Sequence, residues 1–272
     1  MPYDKLKGWA VFTEPWKALS LHELASKVRS LGFDGIELPV RPGFQVAPDS
    51  VSEVLPEAVK TFADQGLRVV SVAADPTPPV IEACAQSGVG IVRVCLEVPR
   101  EKGYMQHEAG LRRWLDTLVP ELRRFSVRPG VQNHYGDNIC NAMGLRHLLE
   151  GYDPDVVAAV WDGAHCGLDG ELPHMAADIL WPCLCLVNLK NARWAPDGAD
   201  AFGAARWKAD FVPGPEGICS WPDVLAQLVE RAYTGYVCLT AEYSDETDLE
   251  AKVRSDLNWA KRVYEHLSRA RS

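Results

Sequence analysis

Asp162 and His165 stand three residues apart at the end of an apolar run, in VAAVWDGAH. A carboxylate at the end of a buried strand is costly alone, so Asp162 requires a cation, a metal or several hydrogen-bond donors. Other apolar runs end in the same way. Glu37 is next to last in DGIEL, Glu97 closes GIVRVCLE, Gln132, Asn133 and His134 follow PGV, Asn188 and Lys190 end LCLVNLK, and Glu242 follows YVCLTA. Asn188 and Lys190, two apart, share one strand face. Carboxylates, imidazoles, amides and an ammonium gathered at one mouth suit acid-base work on a bound small molecule. Each residue also has a plainer reading. Glu37 could cap a helix or pair with Arg41, Glu97 could pair with Arg100, His134 could be a turn residue in QNHYGD, and Lys190 could neutralise Asp162 or Glu242.

Eight β-rich runs must position these groups: 8–12, 34–38, 68–73, 90–97, 129–133, 157–162, 184–190 and 236–242. Stretches of helical period separate them, the pattern of βα units around a parallel sheet, and eight strands close a (β/α)8 TIM barrel. In such barrels polar residues at the strand ends face the site, while apolar side chains fill the interior below. Ser20 caps a helix over 22–31 that stops before Gly32. Leu111, Leu115, Leu118 and Leu122 keep helical spacing, and Pro120 should kink or divide that segment. Leu249 to Val263 puts an apolar stripe on a terminal helix. Residues 191–217, after the seventh strand, are the least regular; they read as a long loop covering the C-terminal face as a lid. The chain, 1–272, reads as a single barrel domain.

Bulk properties narrow the ligand. A net charge of −9 with no Lys/Arg cluster argues against nucleic acid as partner and for a small molecule. There is no apolar run of about 18 residues to span a membrane, and MPYDKLKGWAVF does not read as a signal peptide. The expectation is a cytoplasmic protein, with a homodimer left open. The eight cysteines sit mostly in apolar runs without a CxxC, as reduced core residues.

The stretches LGFDGIEL, VQNHYGD, WDGAHCGLDGE, VNLKNARW, GPEGICSWPDVLAQL and GYVCLTAEYSDE together resemble the xylose isomerase-like TIM barrel superfamily, which includes sugar phosphate isomerases/epimerases and AP endonuclease family 2. In its metal-dependent members a Glu, an Asp, a His and a Glu from the last four strands hold one divalent cation, and two of the carboxylates move protons. Asp162 matches the Asp, Glu242 the final Glu, and His165 the His that meets substrate or metal. Gln132 stands where Glu is common, Asn188 where His is common, and Asn191 where an acid is common. An amide is a weak ligand and accepts no proton near neutral pH, so the usual two-Glu shuttle is not expected. The resemblance implies a sugar isomerase/epimerase acting on a small keto- or aldo-sugar by proton abstraction next to a carbonyl, with Glu242 as the base, His165 or His134 as its acid-base partner and an electrophile holding the enolate oxygen. Its degenerate site for a divalent metal, Mn or Mg, would use Asp162, Glu242, Gln132 and Asn188. Lys190 with the Gln132 and Asn188 amides is the alternative electrophile. Expected catalytic residues are Glu242, His165, His134 and Lys190; expected substrate contacts are Glu37, Trp161, Asn133, Arg193, Trp194 and Trp207. The alternatives are a keto-sugar or inosose dehydratase/lyase, a DNA endonuclease ranked last, and a non-catalytic sugar-binding barrel. With no Gly-rich phosphate loop, an unphosphorylated substrate is preferred.

Overall fold

The computed structural model describes residues 6–271, in which strands and helices alternate almost without interruption. In chain order they are β1 (Gly8–Phe12), α1 (Leu21–Leu31), β2 (Gly35–Pro39), α2 (Val51–Asp64), β3 (Arg68–Ala73), α3 (Pro78–Gln86), β4 (Ile91–Cys95) and α4 (Tyr104–Phe125). Then come β5 (Arg128–Gln132), α5 (Ala142–Leu149), β6 (Ala158–Asp162), α6 (Gly163–Leu168), α7 (Pro173–Leu180) and β7 (Leu184–Leu189). The chain finishes with β8 (Asn191–Ala199), β9 (Ala205–Val212), α8 (Trp221–Glu230), β10 (Tyr236–Leu239) and α9 (Leu249–Arg271). Strands β1 to β7 and β10 pair in parallel into a closed barrel, β10 joining β7 to β1. All eight expected strands form, and four of them, β4, β5, β7 and β10, end one to three residues short of the expected boundary. This is the (β/α)8 fold.

Alternation along the strands divides the core. Ala10, Phe12, Val70, Val160, Leu186 and Cys238 make an interior plug. The opposite faces, with Val11, Ile36, Val72 and Trp161 among them, pack under the helices. Local signals start and stop α1 as expected: Ser20 and Glu23 form a reciprocal capping box, a contribution of about 1 kcal/mol, and Gly32 ends the helix at φ 95. At the far end of the chain α9 packs back on α1, burying Val253, Leu257 and Ala260, while Lys261 donates to the Gly32 carbonyl at 2.8 Å.

Two expectations require correction. Helix α4 runs through Pro120 unbroken, because Leu115, Leu118 and Leu122 are buried on one face and tertiary packing outweighs a single lost backbone bond. Residues 191–217 are not an irregular loop: β8 and β9 form an antiparallel ribbon, with Asn191 opposite Val212 and Ala199 opposite Ala205. Only its base packs on the barrel end, while Phe202 at the tip is 96% exposed. No helix among the described residues is long and apolar enough to cross a membrane.

Candidate active site

The polar strand ends converge on the C-terminal mouth, and a hydrogen-bonded chain crosses it. Ser71 Oγ donates to Glu37 Oε2 at 2.7 Å, and Arg93 Nε to Glu37 Oε1 at 2.6 Å. Arg93 Nη1 then reaches Gln132 Oε1 at 2.7 Å, and Gln132 Nε2 donates to Asp162 Oδ2 at 3.0 Å. Asn188 Nδ2 adds a second donor to Gln132 Oε1 at 3.3 Å. Arg93 was not singled out from the sequence. Its signal was the alternation of Ile91, Arg93 and Cys95 in IVRVC, which turns a guanidinium into the barrel, where it also lies 4.5 Å from the Phe12 ring centroid. Glu37 is fully buried and its partner is Arg93, not Arg41, which binds Glu14. Removing either member of this buried pair would leave an ion uncompensated, at a cost of about 3–5 kcal/mol.

Asp162 ends β6 and is also the N-cap of α6, its Oδ1 accepting from the amides of Ala164 (3.1 Å) and His165 (3.3 Å). That double duty explains the D-x-x-H spacing: the cap starts the helix, and the helix turn brings His165 Nε2 to 3.7 Å from Asp162 Oδ2. Gly163 is required between them, since a Cβ there would lie 2.8 Å from Cys219 Sγ. Burial pushes the Asp162 carboxyl up to about 6, Lys190 pulling the other way. His165 is itself fully buried, with both ring nitrogens unpartnered among the described residues, beneath His134 (ring centroids 4.1 Å apart) and Tyr135 (5.4 Å). Burial, then the Lys190 charge, hold it neutral, well below the usual imidazole range.

His134 is half-buried above it. Its Nδ1 lies 3.0 Å from the Tyr135 carbonyl oxygen, which can only accept, so the neutral ring carries its proton on Nδ1 and keeps a lone pair on Nε2. Burial and Lys190 lower its proton affinity. Lys190 Nζ pairs with Glu242 Oε2 at 2.5 Å and lies 4.7 Å from the Phe211 ring centroid. Burial opposes both charges, yet each overrides it for the other: Lys190 is raised and Glu242 lowered from their ordinary values. Glu242 keeps 32% of its side chain exposed, and its Oε1 has no partner among the described residues.

Of the expected substrate contacts, Trp194 borders the site, its ring centroid 6.4 Å from that of Tyr135, while others are turned away from the mouth. Trp161 is fully buried on the helix side of β6, because adjacent strand residues face opposite ways and Asp162 takes the barrel side. Asn133 is turned away by the same alternation. It brackets the Asp162 backbone, accepting from Asp162 N at 2.8 Å and donating to Asp162 O at 2.9 Å. Arg193 pairs with Asp210 on the ribbon, Trp194 donates to the Leu168 carbonyl, and Trp207 stands toward the ribbon tip, 57% exposed. A hollow of about 1000 Å³ opens at the opposite, N-terminal end of the barrel, lined by Lys7, Arg68, Arg128 and Tyr236, and holds none of these groups.

The four positions at which the resemblance implies a metal do not fit one. Among the described residues no three His, Cys, Asp or Glu side chains are arranged to hold a metal. Both lone pairs of Gln132 Oε1 are taken, one by the Arg93 guanidinium, and its Nε2 points a donor at Asp162. One oxygen of Glu242, Oε2, is occupied by the Lys190 ammonium. Two protein cations therefore stand among the would-be ligands.

A family model described as xylose isomerase-like TIM barrel matches residues 25–263. No curated protein matches the chain. Among solved structures, 3-keto-D-glucoside 4-epimerase from E. coli superposes at TM-score 0.71 with 16% identity, over 95% of this chain and 100% of that one. The probable 3-DHS dehydratase from Bacillus anthracis gives 0.71 at 12% identity, over 93% and 98%. A xylose isomerase-like TIM barrel protein from Mycobacterium smegmatis, in complex with magnesium, gives 0.70 at 16%, over 96% and 97%. At such identities these structures speak for the fold, and the family model, spanning most of the chain, speaks for descent: the chain belongs to the xylose isomerase-like TIM barrel family.

Proposed function

We propose that the protein is a sugar isomerase or epimerase that moves a proton on the carbon next to a carbonyl of a small keto- or aldo-sugar. The observation that carries this reading is the open Glu242 Oε1, whose other oxygen is held by the Lys190 ammonium beside the His134 ring. A base, a cation for the developing oxyanion and a second proton carrier are the groups that enolisation needs. Glu242 takes the proton. His134 Nε2, neutral and with its lone pair free, is an acceptor: it takes a sugar hydroxyl proton and returns it to oxygen, while the proton on Glu242 goes back to carbon. His165, sealed beneath His134 and Tyr135, acts through their placement rather than by touching substrate. Epimerisation and dehydration next to a carbonyl can both begin with such a proton abstraction, the fate of the enolate separating them, and the structural neighbours include an epimerase and a probable dehydratase.

The test is solvent deuterium incorporation into a panel of ketoses and keto-sugars, with products identified by NMR. Wild type should label the carbon next to the carbonyl, and Glu242→Gln should slow labelling about 10²- to 10⁴-fold, the usual range for a lost general base. Labelling at an unchanged rate in Glu242→Gln would remove Glu242 from the chemistry, and no labelling across the panel would leave a sugar-binding barrel. An eliminated water in the product would assign a lyase.

A further inference from the structure

Gln132, Asp162, Asn188 and Glu242 do converge, but the space among them is already provided with positive charge. Arg93 reaches in from β4 and Lys190 from the end of β7, one bound to the Gln132 oxygen and the other to Glu242 Oε2. Neither cation is loosely placed. Arg93 is fixed by Glu37 and by the Phe12 ring, and Lys190 by Glu242 and the Phe211 ring. The Gln132 carboxamide cannot turn its oxygen toward an ion without losing both Arg93 and Asn188, and its nitrogen faces Asp162, where a ligand set would need a second oxygen. A dication added here would meet a guanidinium and an ammonium in a water-poor site, where like charges repel strongly.

We propose that this site works without a divalent cation, the Lys190 ammonium serving as the electrophile that holds the enolate oxygen, while the Arg93–Gln132 contact closes the metal position. The catalytic half rests on the enolisation reading; the exclusion of metal does not. An ammonium is a point charge with three donors, suited to one oxygen anion, whereas a metal ion holds two substrate oxygens at once. The ion pair then changes hands. Glu242 Oε1 takes the proton as the C–H bond breaks. The C–H pair forms the new C=C bond, and the carbonyl π pair moves onto oxygen. Glu242 becomes neutral as the oxygen becomes anionic, so Lys190 is released from one and pairs with the other without any change in the net charge of the site. Return of a proton to carbon reverses the sequence and restores the ion pair, and no oxidant or reductant is used.

Two measurements test this. The first is Mn²⁺ uptake, followed by electron paramagnetic resonance, on wild type and on a Gln132→Glu/Asn188→His double variant. Wild type should show no saturable uptake, and the double variant should take up Mn²⁺ saturably, at least roughly 10-fold more tightly than the weakest binding the titration detects, the scale of effect that ligand-shell changes produce. One equivalent of Mn²⁺ on wild type overturns the proposal. A folded double variant that binds no better than wild type overturns the role given to those two positions. The second is deuterium exchange with chelator, with Mn²⁺, and in Lys190→Met and Lys190→Arg. Exchange should be unaffected by chelator, should fall about 10²- to 10³-fold in Lys190→Met with KM little changed, and should be partly kept in Lys190→Arg. Should Lys190→Met not fold, the Lys190→Arg variant and the chelator arm decide. Exchange that requires Mn²⁺ sinks the metal-free mechanism while sparing the enolisation reading. Exchange absent under every condition sinks the enolisation reading and with it the electrophile, while Mn²⁺ uptake still decides the exclusion of metal.

Discussion

Asp162 joins stability to the site. Its Oδ1 caps α6 and its Oδ2 receives the Gln132 amide, yet no cation bonds it directly, so its ionisation is opposed by burial. The sign of the consequence is definite. The native carboxyl, at about 6 against an unperturbed 3.8, holds its proton more tightly than the unfolded chain does. Its contribution is therefore most favourable below about pH 4 and erodes as pH rises through about 6. Urea unfolding of wild type and Asp162→Asn should show wild type gaining about 2 kcal/mol relative to the variant between about pH 7.5 and about pH 4.5. Parallel pH profiles would mean that the carboxyl titrates normally. Asn191 shows a different use of a single side chain. It bonds the carbonyls of Gly214 and Cys219 and the amides of Ala192 and Cys219. It thus pins the base of the ribbon and is not available to substrate. The cost is a glycine at 217, where a Cβ would lie 2.1 Å from Asn191 Oδ1.

At the level of elements, the strands aim the groups and the base of the ribbon adds Phe211 and Trp194, the latter with its ring centroid 6.4 Å from that of Tyr135. Phe211 near the end of β9 covers Lys190 and stands 5.8 Å from Tyr135, whereas the tip beyond Pro196 and Trp207 touches little. Excising 197–206 and joining Pro196 to Trp207 through an Asn-Gly turn should shift Tm by less than about 2 °C, since exposed segments away from caps and core contribute within about 0.5 kcal/mol. A fall of more than about 5 °C would show that the tip is part of the folded core. Helix α4 illustrates the reverse balance: Pro120 removes one backbone bond, and the buried leucines on the same helix hold it continuous.

For the whole molecule, closure of the barrel removes every edge of its sheet and seals both faces of most strands. The thiols report on that closure. Cys84, Cys166, Cys183, Cys219 and Cys238 are buried, and burial pushes the Cys84 thiol up to about 12. Cys185, part-exposed at the N-terminal hollow, is likewise pushed up to about 12 by its surroundings. Native protein should therefore react promptly with a thiol reagent at no more than the three part-exposed cysteines, 95, 140 and 185, and at all eight once denatured. Prompt reaction of more than three would mean that the barrel opens far below global unfolding.

The sequence by itself determined the strand count, the barrel and the residues at the strand ends, because burial against a helical layer forces apolar runs of fixed length and period. It also determined that Asp162, Gln132, Asn188, Lys190 and Glu242 gather at one end, since parallel strands carry their C-termini to one face. Pairing was decided only in three dimensions. Arg93, 39 residues before Gln132 in the chain, closes the chain of hydrogen bonds across the mouth, and no local pattern couples the two. The facing of Trp161 and Asn133 depended on which neighbour on each strand took the barrel side. The order in residues 191–217 came from strand pairing rather than from composition, and the charge on each mouth residue depended on what burial and folding placed beside it.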